Sequence, residues 1–142
     1  MKYFLKLNVT GLILAILLFI SATIMLNVYR INRLFGINIE RVNLIALVSF
    51  AAVALTVPFL LRALLKRMPK ARRRLFDYVL TMIWFPYFKI IEGVFYYFFP
   101  IEYRGDLPAP VLGLALLLAF ILYPLYIGII IYLQKNKPLI VQ

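Results

Sequence analysis

Hydrophobic side chains in this sequence come as long unbroken runs. They extend from about Val9 to Tyr29, Leu44 to Leu65, Tyr78 to Pro100 and Val111 to Leu133. Each run matches the roughly 20 helical residues needed to cross a hydrocarbon core of about 30 Å. None alternates apolar and polar positions as a barrel strand does, and an open sheet could not satisfy its backbone in lipid. The pattern therefore predicts an all-α integral membrane protein. Its expected form is a four-transmembrane-helix bundle with short loops, built as a single membrane domain over residues 1–142. Lys2 and Lys6 ahead of the first run imitate a secretory signal, with Ser21-Ala22 as a cleavage region. The apolar stretch continues through Met25 to Val28, longer than a typical signal core, so it is read as an uncleaved span.

Composition agrees with this reading, since 65% of the 142 residues are hydrophobic, more than a soluble domain of this size carries. The net charge of +11 comes from 16 Lys+Arg against 5 Asp+Glu. In a membrane protein such an excess reports topology and contact with anionic headgroups rather than nucleic acid. The basic residues concentrate between the second and third runs as Arg62, Lys66, Arg67, Lys70, Arg72, Arg73 and Arg74. The loop 66–77 is accordingly expected in the cytoplasm, or in the matrix of an organelle, which sets both termini on that side. Lys2, Lys6, Lys135 and Lys137 agree with this N-in, C-in arrangement; on the opposite side Arg30, Arg33, Arg41 and Arg104 are diluted by Glu40, Glu102 and Asp106. The same basic cluster is a candidate dock for acidic lipid heads or an acidic partner surface. Its simpler role is to determine topology.

Candidate chemistry is sparse. The chain has no Cys and no His, which removes disulfides, thiolate and imidazole metal sites and catalytic thiols. No catalytic, cofactor-binding or metal-binding constellation is expected. The exception to a bland interior is Lys89 with Glu92 in the third run. Ionisable groups at that depth are costly and are functional candidates by default. Three positions apart on a helix, they can reach each other, and Phe85, Tyr96 and Phe99 continue their face. Three readings follow: an ion pair, internal or completed by another subunit, that fixes helix orientation; a proton or ion relay in which Lys89 tunes Glu92; or a run broken at Pro86, so that Tyr87 to Phe99 lies along the interface. The first is preferred.

Pro58, Pro86 and Pro124 fall inside their runs and are candidate kinks, because each removes a backbone donor and frees the carbonyl four residues earlier. Small residues mark candidate helix contacts: Gly11, Ala15 and Ala22 on the first run, Ala46, Ser49, Ala52 and Thr56 on the second, Gly113 and Ala119 on the fourth. Two short motifs carry no function. Arg104-Gly105-Asp106 matches an adhesion tripeptide but reads as a turn ahead of a helix beginning at Pro110. Asn8-Val9-Thr10 matches a glycosylation acceptor but lies against the membrane on the expected inside. What remains is a small multi-pass membrane protein, expected to serve as a non-catalytic accessory subunit of a larger membrane complex, with other integral subunits or further copies of itself as partners. The alternative is a small homo-oligomeric channel, transporter or membrane-acting effector that uses Lys89 and Glu92.

Overall fold

The computed structural model describes residues 2–66 and 76–135, and the side chains of 4–63 and 78–134. The five α-helices among them are α1 (Lys2–Leu26), α2 (Val28–Phe35), α3 (Ile39–Lys66), α4 (Leu80–Phe98) and α5 (Pro110–Lys135). Short 3-10 turns at Phe76–Val79 and Arg104–Asp106 lead into α4 and α5. Three helical segments are long and apolar enough to cross a membrane: Phe4–Leu26, Ile39–Ala63 and Pro110–Gln134. The α4 helix is shorter and carries Lys89 and Glu92, and it is not among those three.

The first helix is the axis of the molecule, packing along both α3 and α4. Leu14, Ala15, Leu18 and Ala22 of α1 are buried with Val53, Val57 and Leu61 of α3, Leu80, Trp84 and Phe88 of α4, and Tyr123, Ile127 and Ile131 of α5. The α4 contributions recur every fourth residue, so a single stripe of that helix faces inward. Gly11 lets α4 approach closely, because a Cβ there would lie 2.5 Å from Cγ2 of Ile83. Aromatic rings fill the space between α4 and α5. Trp84 meets Tyr123 at 5.0 Å and Phe120 at 6.0 Å, and Phe120 meets Phe88 at 5.0 Å, mostly edge to face, the arrangement that the ring quadrupoles favour.

The contacts also give helix direction. Gly11 lies by Ile83 and, further along, Phe19 meets Phe95, so α1 and α4 run the same way. Between α3 and α5 the contacts advance from Ala54–Tyr126 to Pro58–Gln134, so these two are also parallel to each other. Against α4, α5 runs in reverse, with Phe120 beside Phe88 and Gly128 beside Thr81.

Where the first run was expected to continue to Tyr29, α1 stops at Leu26 and the chain turns at Asn27, whose backbone (φ −101°, ψ 21°) leaves the helical region. The residues that follow form α2, with charge and apolar side chains segregated to different faces; it takes Val28 and Tyr29 from the first run and Arg30 to Phe35 from the expected connection. Gly36 ends α2 in the left-handed conformation (φ 65°), a geometry that costs glycine little, and its N–H donates to Asn32 O. Asn38 then caps α3, accepting from Glu40 N–H at 3.2 Å, so α3 starts at Ile39 rather than near Leu44.

Candidate functional site

Lys89 and Glu92 lie on adjacent turns of α4 and form a direct ion pair, Nζ donating to Oε2. Lys89 projects from the outer face of the helix, and Glu92, one turn beyond Phe88, sits at the edge of the inward stripe. The lysine side chain is 53% exposed and the glutamate 18%, while Trp84 and Phe88 are buried. Phe85 is exposed and Tyr96 half-buried on the charged side, and Phe99 is exposed as well. Gly93 belongs to the same surface, and a Cβ built on it would meet nothing within 4 Å. The helix runs from Leu80 to Phe98 through Pro86 as one element, so the pair stands on an unbroken helix. Along the molecule it falls between the Gly11–Ile83 and Phe19–Phe95 contacts, level with the middle of α1.

Pro58 and Pro124 are likewise inside helices that continue past them. At Pro58 the consequence is resolved in atomic detail. The proline frees the carbonyl of Ala54, and the hydroxyl of Tyr126 on α5 donates to that oxygen. One turn on, Gln134 Nε2 donates to Pro58 O at 2.9 Å, and the buried Tyr123 hydroxyl donates to Leu14 O at 2.9 Å. The backbone opened by the proline thus becomes the join between α3 and α5.

The small residues divide. Ala15 and Ala22 are buried and Gly11 is in close contact, so the α1 stripe is internal. Ala46 is buried, Ser49 half-buried, and Ala52 and Thr56 exposed; Gly113 is open and Ala119 half-buried. Of the basic cluster, Arg62 is exposed, while the side chains of Lys66, Arg67, Lys70, Arg72, Arg73 and Arg74 lie outside the described residues.

A second ionic feature escaped the linear reading. At the α2 end, Arg33 grips Asp106 with two parallel bonds, Nε to Oδ1 at 2.9 Å and a terminal nitrogen to Oδ2 at 2.6 Å. This forked geometry is the strong form of a guanidinium–carboxylate contact. Asp106 is 2% exposed. The Arg33 guanidinium also lies 5.3 Å from the centre of the Tyr103 ring, and the Arg30 guanidinium donates to Phe99 O at 2.9 Å. Hydrogen bonding from Arg33, helped by its charge and that of Arg30, holds the Asp106 carboxyl below its ordinary value despite desolvation. The same contact raises Arg33. Asp106 is the last residue of the tripeptide set aside as a turn. The turn is present, and a Cβ on Gly105 would crowd the exposed Tyr103 ring beside it. The glycosylation-like tripeptide is also accounted for locally: Asn8 Oδ1 accepts from the Tyr87 hydroxyl at 2.6 Å, and Thr10 is buried and donates to Lys6 O at 2.7 Å.

Among the described residues no three acidic side chains gather where a metal ion could sit. No protein-family model matches the chain, and no curated protein or solved structure matches it. The class rests on the fold itself: among the described residues the regular structure is all helical, with three helices long and apolar enough to cross a membrane.

Proposed function

We propose that this chain is a four-span, non-catalytic subunit that works by assembling laterally with other proteins inside a membrane. Two observations support α4 as the fourth span. It runs beside α1 in the same direction, and its 19 residues extend about 28 Å at 1.5 Å per residue, close to the hydrocarbon thickness of about 30 Å. The proposed orientation sets the basic loop 66–77 and both termini on the cytoplasmic or matrix side, with α2 and the Arg104–Asp106 turn on the other. Anionic headgroups then face Arg62 and the basic run that follows it.

The observation that carries the assembly reading is that Lys89 points outward from the bundle, with Glu92 beside it at the edge of the packed stripe. Had they served a relay within one chain, they would face the space between the helices. That space is occupied by Leu14, Leu18, Val57, Trp84, Phe88 and Ile127; Lys89 stands outside it and Glu92 at its margin. In lipid an outward ion pair at mid-depth is expensive unless something covers it. The paired geometry lowers that cost, and a covering protein surface lowers it further. Exposed apolar side chains continue along the first half of α5, at Val111, Leu114, Leu117, Leu118 and Ile121, which adds a second surface available to neighbours or lipid.

The test is extraction of the protein from its native membrane in mild detergent, followed by native mass measurement and peptide sequencing. Recovery with larger integral membrane proteins is expected. Recovery of this chain with only copies of itself would overturn the accessory reading and favour a homo-oligomeric channel or transporter. Topology has a separate test: a cysteine at Lys70 should resist a membrane-impermeant thiol reagent added outside, and one at Glu102 should react.

A further inference from the structure

The geometry points to a second copy of this chain as the surface that covers Lys89 and Glu92. The inference rests on α4 being a span, as proposed above, and adds the identity of the partner. A surface that complements this face needs a carboxylate within reach of Lys89 and an ammonium within reach of Glu92, three helical positions apart and within one turn of them in membrane depth. It also needs a helix able to come close enough for both contacts. The outer face of α4 meets all of these demands itself. Two copies inserted the same way and related by a two-fold axis normal to the membrane carry their residues at equal depth. Lys89 of one copy is then offset axially from Glu92 of the other by about 4.5 Å, three residues at 1.5 Å each, within reach of a lysine side chain. Gly93 lies on this face with open space before it, so two α4 helices can approach backbone to backbone there.

In the dimer each charge acquires a second opposite neighbour. The two pairs become a closed ring of four alternating charges, shielded from lipid by the exposed rings of Phe85 and by Tyr96. An ion pair already formed within one chain offers little to an apolar neighbour. A neighbour with the same pair in the same register offers each ion an additional counter-charge. This is the sense in which the face is self-complementary.

The native sequence has no cysteine, so the full-length chain in liposomes can be tested with single introduced thiols. Gly93→Cys should form a disulfide-linked species of twice the chain's 16.6 kDa mass on mild oxidation, and Val48→Cys, on the exposed side of α3, should not. Complementation separates a pair shared between chains from one confined to a single chain. Lys89→Met and Glu92→Gln, each alone, should lose the dimer, since each brings two like charges together. Mixing the two variants should restore it, because one copy supplies the lysine and the other the glutamate. Failure of the mixture to dimerise, or equal cross-linking at positions 48 and 93, would overturn the proposal.

The spanning reading fails separately, if cysteines at Lys70 and Glu102 label from the same side of the bilayer. The accessory function fails separately again, if no other membrane protein is recovered with the native chain.

Discussion

Among the described residues two ion pairs stand in contrast. Lys89 and Glu92 are neighbours on one helix, three residues apart, and their partnership follows from helical geometry. Arg33 and Asp106 are 73 residues apart, on α2 and on the turn before α5, and meet only because the helices return them to the same end. The exposures differ as well. The local pair presents its lysine outward from the middle of a helix, whereas the distant pair buries its carboxylate to 3% exposure beneath a forked guanidinium. The distant pair closes the fold: with Arg30 on Phe99 O, it fastens α2 across the α4–α5 connection. The local pair closes nothing within the chain. On the proposed reading, a charge pair that joins no two helices of the monomer serves the assembly rather than the fold.

This contrast can be broken experimentally, and the largest effect should come from the local pair. Lys89→Met leaves Glu92 without its counter-charge at mid-depth, a penalty of about 2.5–3.5 kcal/mol on insertion scales, and should sharply reduce assembled protein on a native gel. Replacing both, Lys89→Met with Glu92→Gln, should recover insertion and monomer stability while the dimer stays lost. A monomer that unfolds in the double variant would mean that the pair is part of the fold after all. Next, Asp106→Asn should lower thermal stability and speed hydrogen exchange across Val28–Phe35, leaving dimer cross-linking at position 93 unchanged. Loss of the cross-link in that variant would erase the distinction between the two pairs.

Acid should act on the distant pair in one direction. The Asp106 carboxyl is held below its ordinary value, so its contribution to stability is complete above the unfolded pKa of about 3.9 and is lost as pH falls through the lower folded value. Arg33, raised by the same contact, stays charged across this range. Protection against exchange across α2, with the intrinsic pH dependence of amide exchange divided out, should therefore be flat with pH from neutrality to the ordinary carboxylate range and fall only below it. A fall near pH 6 rather than there would count against this pair and show that another group governs the α2 attachment. The smallest effect belongs to Tyr126→Phe, which removes the donor to Ala54 O. Hydrogen bonds between membrane helices average about 0.6 kcal/mol and reach about 1.7, so unfolding of the α3–α5 join in detergent should shift by no more than that.

Legibility followed sequence range. Runs of apolar residues pointed to α1, α3, α4 and α5 because helix formation in lipid is a local requirement: every backbone donor must find an acceptor within its own segment. The Lys89–Glu92 pair was legible for the same reason. The α2 helix was not, since eight residues holding Arg30, Asn32 and Arg33 have too little hydrophobicity to register as a span and resemble a loop. A signal was nonetheless available, in the apolar residues Val28, Ile31, Leu34 and Phe35 at helical spacing, with Gly36 as the stop. Asp106 was read as part of a turn, which it is, but nothing near it in sequence indicates that its carboxylate is buried under Arg33.

The proline at position 58 shows the same division within one feature. That Pro58 frees the Ala54 carbonyl is fixed by its missing N–H and needs no neighbour. That Tyr126 answers this carbonyl depends on α5 lying parallel to α3 at one particular register. By itself, then, the sequence determined the helical class, the apolar segments, the absence of thiol and imidazole chemistry, and the partnership of Lys89 with Glu92. All of these follow from composition or from contacts within four residues. The tertiary structure decided that Lys89 faces outward with Glu92 at the edge of the packed stripe, that Arg33 fastens Asp106, that Gly11 seats α4 against α1, and that tyrosines of α5 bond to the backbones of α1 and α3. Each of these depends on the rotation and offset of one helix against another, which packing sets and local periodicity does not encode.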